Sequence, residues 1–246
     1  MKLLIKSVLQ RILGLENYLF LFSLFKITTL KWDAVEGDFL HLLSIIDDNG
    51  LVIDAGANIG IMSVLLAKKV SHGQVYAFEP MPINFKVLGK VIKWFRLDNV
   101  IIYPWALGNI EQELEMVMPV VGAVRLQGLS HIIDESKGPV DSGDRAGVIC
   151  KRLDDISAFF EPNAKITALK IDVEGFEYFV FEGGQKLLST HHPIIYCEIS
   201  NADNVKKCAA LLNPFNYEIN VLVNHHLQVY EPQKHHGYWN FFLMPK

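Results

Sequence analysis

Residues 51–60 read LVIDAGANIG, an apolar run that ends in a glycine-rich turn. The run is too short for a helix and is typical of a strand buried on both faces. Gly56 allows the backbone to turn tightly and a ligand to approach it closely, and Gly60 lets a following helix pack near the strand. This stretch therefore predicts a strand–turn–helix unit with a ligand site at the turn.

Short apolar runs and helical stretches continue to alternate along the chain. Further strands are predicted at residues 74–78, 100–103, 168–171 and 194–197, and helices at about 59–70, 83–95 and 205–212. Strands that are separated by helices indicate a parallel, doubly wound α/β sheet.

The last part of the chain breaks this alternation. The extended runs 217–223 and 239–244 have no helix-length segment between them, so we expect them to pair as an antiparallel hairpin across the loop 224–237. The prediction is a mostly parallel, seven-stranded, Rossmann-like sheet with a C-terminal antiparallel hairpin, the layout of class I methyltransferases.

Composition limits the class of protein. The chain has 246 residues, half of them hydrophobic, which is enough for a full core in one large domain. Its net charge of -4 argues against a general nucleic-acid binder. The three cysteines lack metal-ligand spacing and are interpreted as reduced thiols, which favours a cytoplasmic location.

Residues 1–34 are predicted to form a helical extension to a domain that comprises residues 35–246. Residues 1–31 hold five basic side chains against one acidic one, and residues 18–25 read YLFLFSLF. That run is far shorter than the ~20 residues that span a bilayer. Two interpretations remain: helices that pack on the core or on a second subunit of a homodimer, or a basic amphipathic segment that contacts the inner surface of a membrane.

Residues 110–150 are rich in glycine and also contain two prolines. We interpret them as a long insertion between the third and fourth strands of the domain. Long structured insertions often contact substrate, although a surface loop without structure is the alternative.

The turn after the first strand indicates which ligand it holds. A dinucleotide fingerprint G-x-G-x-x-G fails here, because Asn58 and Ile61 occupy two of its positions, and no GK[ST] phosphate loop is present. Asp54 at the strand end is poorly placed for a pyrophosphate but suits the ammonium and sulfonium charges of S-adenosylmethionine.

Glu79 follows the second strand, 23 positions beyond Gly56, near the spacing expected for a carboxylate that accepts ribose hydroxyls. Asp54 as a helix cap and Glu79 as an ordinary loop acid are the structural alternatives. Because Glu79 would serve an NAD ribose equally well, an NAD-dependent oxidoreductase is the second candidate function. A non-catalytic nucleoside-binding module is the third.

Several motifs together resemble the FkbM family of methyltransferases. They are DAGANIG at 54–60, FEP at 78–80, ALG at 106–108, LDD at 153–155, KIDVEG at 170–175 with Glu177, and Glu198-Ile199. The likeness covers about residues 35–245. It implies a class I fold, S-adenosylmethionine as methyl donor, and O-methylation of a hydroxyl on a carbohydrate, a glycan or a secondary metabolite. The cofactor-binding residues that it and the turn imply are Asp54, Gly56, Ala57, Asn58, Gly60, Glu79, Pro80, Ala106 and Asp172.

The motif at 170–175 places two carboxylates beyond the fourth strand. Methyl transfer to a hydroxyl requires a group that takes the hydroxyl proton. We favour Asp172, which shares a strand face with Lys170. Glu174 is the second candidate base, with a structural acid at the start of the next helix as its alternative, and His131 is the third.

A divalent metal could bind through Asp172 and Glu198. The Asp-Asn pair usual in catechol-type enzymes is missing, so we expect no metal site. The small-molecule or glycan acceptor itself cannot be identified from these residues.

Overall fold

The computed structural model describes residues 2–133 and 142–246. Within these residues the helices are α1 (Lys2–Leu13), α2 (Leu15–Thr29), α3 (Gly37–Ile45), α4 (Ile61–Lys69), α5 (Pro82–Phe95), α6 (Glu177–Glu182), α7 (Gln185–His191) and α8 (Ala202–Leu212). The strands are β1 (Leu51–Ala55), β2 (Gln74–Phe78), β3 (Val100–Tyr103), β4 (Trp105–Leu107), β5 (Gln112–Val121), β6 (Val124–Arg125), β7 (His131–Ile132), β8 (Gly143–Lys151), β9 (Ile166–Ile171), β10 (Ile194–Glu198), β11 (Tyr217–Val223), β12 (His226–Val229) and β13 (Asn240–Pro245).

The main sheet confirms the predicted α/β architecture. Its strand order is β12-β11-β13-β10-β9-β1-β2-β3. The five strands from β10 to β3 are parallel, and β13 pairs antiparallel with both β10 and β11. Parallel strands place their carboxyl ends at one edge of a sheet, where ligands bind in open α/β folds.

The predicted count of seven strands is wrong, because the described residues give this sheet eight. The additional strand, β12, lies inside the predicted loop 224–237. Asn224 and His225 both have positive φ, at 50° and 65°, and form a two-residue turn that folds β12 back onto β11. Such turns favour Asn at the first position but usually Gly at the second, so Asn-His is a weak sequence signal.

Alternate strand residues pack against helices on the two faces of the sheet. Val52 belongs to the cluster that contains Phe39 of α3 and Leu66 of α4, whereas Ile53 belongs to the cluster that contains Phe181 of α6 and Leu188 of α7. This is the double winding that apolar strands with period 2 require. It fixes β1, and with it the turn at Gly56, from both sides.

A second, smaller sheet follows β3 along the chain. Its order is β4-β8-β5-β6, with β7 paired to β5. Most of the predicted insertion 110–150 therefore contributes ordered strands in the described residues, among which β5 and β8 form a long antiparallel pair. Residues 134–141 of that insertion lie outside the described residues.

The segment before the sheet folds onto the core through α2. Tyr18, Leu19 and Ile27 are buried against α4 and α5, and Glu16 forms ion pairs with Lys86 and Lys90 of α5. The helices in the described part of the chain are all too short or too polar to cross a membrane.

Candidate functional site

The carboxyl ends of β1, β2 and β9 border two adjoining cavities. Counting the solvent space that opens into them, the first has a volume of about 590 Å³ and the second about 490 Å³. Gly56, Asn58, Gln127 and Asp172 line both, so the cavities meet at the glycine turn.

The turn at Gly56 can be made only by glycine. Its φ is +76°, and a Cβ there would lie 1.8 Å from the carbonyl oxygen of Asp172. The amides of Gly56 and Ala57 donate to the carbonyl of Phe78, at 3.0 and 2.9 Å. Asn58 then adopts a left-handed conformation, φ +51°, which Asn tolerates well. The turn is therefore tied to the ends of both neighbouring strands.

Glu79 is buried in the wall of the first cavity, with 5% of its surface exposed. Its two oxygens accept hydrogen bonds from the amides of Asn58, at 2.8 Å, and Met81, at 2.9 Å. Burial raises the pKa of Glu79 to about 7, and these amide donors only partly offset it. A buried carboxylate at this position still has lone pairs to accept ligand hydroxyl protons.

A buried ion pair lies directly below the turn. Asp54 and Lys170 are opposite each other in the β1–β9 ladder, and Lys170 Nζ lies 3.1 Å from Asp54 Oδ1. The same ammonium donates to the carbonyl of Gly56 at 2.8 Å and lies 3.7 Å from Asp172 Oδ2. Burial alone would lower the pKa of Lys170, but the charges of Asp54 and Asp172 raise it, so Lys170 stays charged.

The position of Asp54 differs from the one that the sequence suggested. Asp54 is fully buried, and its second oxygen accepts from Ser63 Oγ at 2.6 Å. Its carboxylate lies inside the protein, whereas Lys170 and Asp172 reach the wall of the second cavity. Asp54 therefore lines neither of these two cavities, and Lys170 lies between its carboxylate and the second one.

The two carboxylates beyond β9 have different environments. Asp172 lines both cavities and is held by Lys170. Glu174 has a left-handed φ of +51° that turns it to the mouth of the first cavity, where it reaches solvent. Partial desolvation and the negative charges of Asp172 and Glu198 raise the pKa of Glu174 to about 8. Helix α6 begins at Glu177, so Glu174 is not part of its first turn.

His131 is not brought to the cavity. Its strand neighbours Ser130 and Ile132 line the first cavity, and alternate residues of an extended segment point to opposite sides. The ring Nδ1 of His131 lies 2.9 Å from the carbonyl oxygen of Leu129.

Three of the four remaining predicted cofactor residues line one of the two cavities, and Gly60 lines neither. Pro80 and Ala106 line the first, Ala57 lines the second, and Gly60 supports the turn with φ +84° as the residue before α4.

Sequence reasoning missed residues that other elements bring to the cavities. Asn84 of α5 lines the first cavity, Gln127 from the turn after β6 lines both, and Lys26 and Glu36 line the second. A polar residue in a helix or after a two-residue strand belongs to no recognisable sequence motif. Of these four residues, only Asn84 could have been predicted, because it lies five residues after Glu79.

Two buried amide oxygens indicate that the first cavity fits a polar ligand. Within the described part of the chain, Asn58 Oδ1 and Asn84 Oδ1 are buried without a hydrogen-bond partner. Buried polar atoms are normally paired. Both residues line the first cavity beside Glu79, so donors on a ligand would satisfy them.

Residues 2–133 and 142–246 contain no group of three or more His, Cys, Asp or Glu side chains arranged to hold a metal ion. In particular, Asp172 and Glu198 are not joined by a third such ligand in that part of the chain.

Comparisons with known proteins point to one family of enzymes. The Methyltransferase FkbM domain family matches residues 54–238, from the end of β1 to the residue before Trp239. Methyltransferase sdnD of Sordaria araneosa is 28% identical over 170 residues, which cover 59% of this chain and 64% of that protein. Methyltransferase 1 of Beauveria bassiana is 26% identical over 172 residues, covering 61% and 68%. The chain thus spans less than two thirds of the length of the Sordaria protein.

Among solved structures, methyltransferase FkbM from Methylobacillus flagellatus superposes with a TM-score of 0.53 and 16% identity. The superposition covers 80% of this chain and 44% of that chain, and it supports the fold.

The contribution of the Asp54–Lys170 ion pair to stability can be measured directly. Lys170→Met should lower the free energy of unfolding by about 3–5 kcal/mol, because it leaves the Asp54 carboxylate buried and unpaired. Lys206→Met, at an exposed ion pair with Asp203, should change it by less than about 0.5 kcal/mol. Urea unfolding measures both.

Adding Asp54→Asn to Lys170→Met removes the buried carboxylate that Lys170→Met leaves without a charged partner. The double variant should therefore lose less stability than the sum of the two single variants. Strictly additive losses would contradict a direct interaction between the two side chains.

Proposed function

Because the chain belongs to the FkbM methyltransferase family, whose methyl donor is S-adenosylmethionine, we propose that it O-methylates a hydroxyl group of a carbohydrate, a glycan or a secondary metabolite. The observation that carries the proposal is one cavity lined by the buried carboxylate of Glu79 and by the carboxylates of Asp172 and Glu174. The Glu79 carboxylate could accept hydrogen bonds from the donor's ribose. Asp172 and Glu174 could stabilise the donor's positive charge and accept a proton.

We infer that the donor's nucleoside binds in the first cavity. Glu79 and the amide side chains of Asn58 and Asn84 would hold the ribose hydroxyls, since ionised carboxylates and amide oxygens are the acceptors that such donors need. Ala106 and Leu107 offer an apolar surface for a base in the same cavity.

The second cavity suits the donor's amino-acid tail. Lys26 and Glu36 present one basic and one acidic side chain there, and Lys26 Nζ lies 2.6 Å from Asp33 Oδ2 and 4.0 Å from Glu36 Oε1. Burial raises the pKa of Glu36. A zwitterionic tail complements such a pair, so residues before the matched family range would complete the cofactor site.

When bound, S-adenosylmethionine supplies an electrophilic methyl group next to a positively charged sulfur. Asp172 lines both cavities and has its carboxylate oriented by Lys170. We assign it to the methyl-bearing part of the donor, where a fixed negative charge favours the cationic ligand.

Glu174 is the better placed of the candidates to take the acceptor's proton. It lines the first cavity and reaches solvent, and its pKa of about 8 is near the optimum for a general base at neutral pH. Partial desolvation and the charge of the neighbouring Asp172 keep that pKa high. This reverses the order of preference that the sequence suggested.

Transfer of tritiated methyl groups from S-adenosylmethionine into fractionated glycans, lipids, proteins and RNA tests the acceptor class. Label in glycans or small hydroxylated metabolites is expected, and label in protein or RNA would overturn the proposal. Thermal shifts with S-adenosylhomocysteine and with NAD separate methyl transfer from the oxidoreductase alternative.

Glu79→Ala should weaken the binding of S-adenosylhomocysteine by about 1.5–3 kcal/mol, or roughly 10- to 150-fold, because it removes a charged acceptor. The pKa of Glu79 is about 7, so the carboxyl is protonated below that pH and ionised above it. The loss should therefore be larger at pH 8 than at pH 6. Calorimetry measures it, with the exposed Glu161→Ala as control, and equal affinities of wild type and Glu79→Ala at pH 8 would rule out this role.

The base assignment predicts a pH profile. Because Glu174 must be ionised to accept a proton, kcat should rise with pH through about 8. Glu174→Gln should lose most of kcat and flatten that rise while it leaves the binding of S-adenosylhomocysteine within about threefold. An unchanged profile in Glu174→Gln would return the role to Asp172.

A further inference from the structure

Helix α1 turns its apolar side outward. Its exposed large hydrophobic residues are Leu3, Leu4, Ile5, Val8, Leu9 and Ile12, of which Leu4 and Ile12 have 70% and 73% of their surface exposed. A surface helix of a globular protein normally shows the opposite arrangement, with its apolar side toward the core. A contiguous apolar patch of this kind marks an interaction site.

The inward side of α1 is polar and held by specific bonds. Gln10 is buried, its amide nitrogen donates to the carbonyl of Arg125 at 3.1 Å, and its amide oxygen accepts from the Arg125 amide at 3.1 Å. These reciprocal bonds to β6 fix the rotation of α1 about its axis. Lys6 and Ser7 on the same side are partly buried. The outward apolar side is therefore a consequence of the native contacts.

The charge of the N-terminal segment indicates what kind of partner covers the outward apolar side of α1. Residues 1–31 carry a net charge of +4, whereas the whole chain carries -4. Helix α1 has no acidic residue, and its Arg11 side chain is exposed, whereas Lys6 lies on the inward side. A second copy that docked through the same helix would bring like charge to like charge. An anionic lipid surface offers both the apolar depth and the opposite charge.

The segment that follows has further exposed apolar side chains. Phe25 of α2 has 62% of its surface exposed, Trp32 has 73% and Val35 has 81%. The ammonium of Lys31 lies 4.3 Å from the centre of the Trp32 ring. Tryptophan next to lysine is typical of residues at the level of lipid headgroups.

We propose that α1 docks the protein on an anionic lipid bilayer, with its apolar side inserted among the acyl chains and Arg11 near the headgroups. The contact is peripheral, since α1 has 12 residues and lies along the surface. This function is separate from methyl transfer and needs no bound cofactor.

Co-sedimentation with vesicles tests the proposal on the full chain. The protein should pellet with vesicles of phosphatidylglycerol and phosphatidylcholine, should pellet much less with phosphatidylcholine alone, and should be released by high salt because surface charge is then screened. Leu4→Ser combined with Ile12→Ser should reduce the partition coefficient more than about tenfold. Both side chains are exposed, so the variant should keep the wild-type unfolding midpoint and the affinity for S-adenosylhomocysteine.

Val229→Ser is the matched control, because Val229 is 51% exposed on β12, far along the chain from α1. It should bind vesicles as the wild type does. Equal pelleting of the wild type and the double serine variant would overturn the proposal, as would no preference for anionic vesicles. A dimer in solution that the double serine variant dissociates would assign the apolar side to a second copy instead.

Discussion

The ligand-binding edge of this fold depends on one buried ammonium group. Lys170 has 2% of its side chain exposed, and it contacts the carboxylate of Asp54, the carbonyl of Gly56 and the carboxylate of Asp172. It therefore joins the end of β1, the glycine turn and the end of β9 in one electrostatic unit. Without it, the carboxylate of Asp54 would be buried with no charged partner, which is costly.

Several partly or fully buried acidic side chains surround this unit. Glu79, Glu36 and Glu174 all have raised pKa values with burial as the largest cause, and Asp172 adds to the last two through its charge. Each carboxyl is costly to ionise when no cation is near. A nearby positive charge lowers that cost, as Lys170 does for Glu79 and Glu174 and as Lys26 does for Glu36.

The sheet and the turn were predictable because their signals are local. Apolar runs with period 2, Gly56 and the acid after β2 follow directly from strand and turn geometry. The burial of Asp54 was not predictable, because it depends on Lys170, more than a hundred residues away, being its cross-strand neighbour. Strand β12 was missed because Asn224-His225 is an uncommon turn pair, and Lys26 and Glu36 because helical packing alone brings them to the cavity.

The pair of bonds between Gln10 and the backbone of Arg125 has a practical consequence for handling this protein. Arg125 ends β6, two positions before Gln127, which lines both cavities. The apolar first helix therefore helps to hold the cavity wall beside the glycine turn in position. Deleting α1 to gain solubility would remove these two hydrogen bonds, so we expect the cavities of a variant without α1 to differ from those described here.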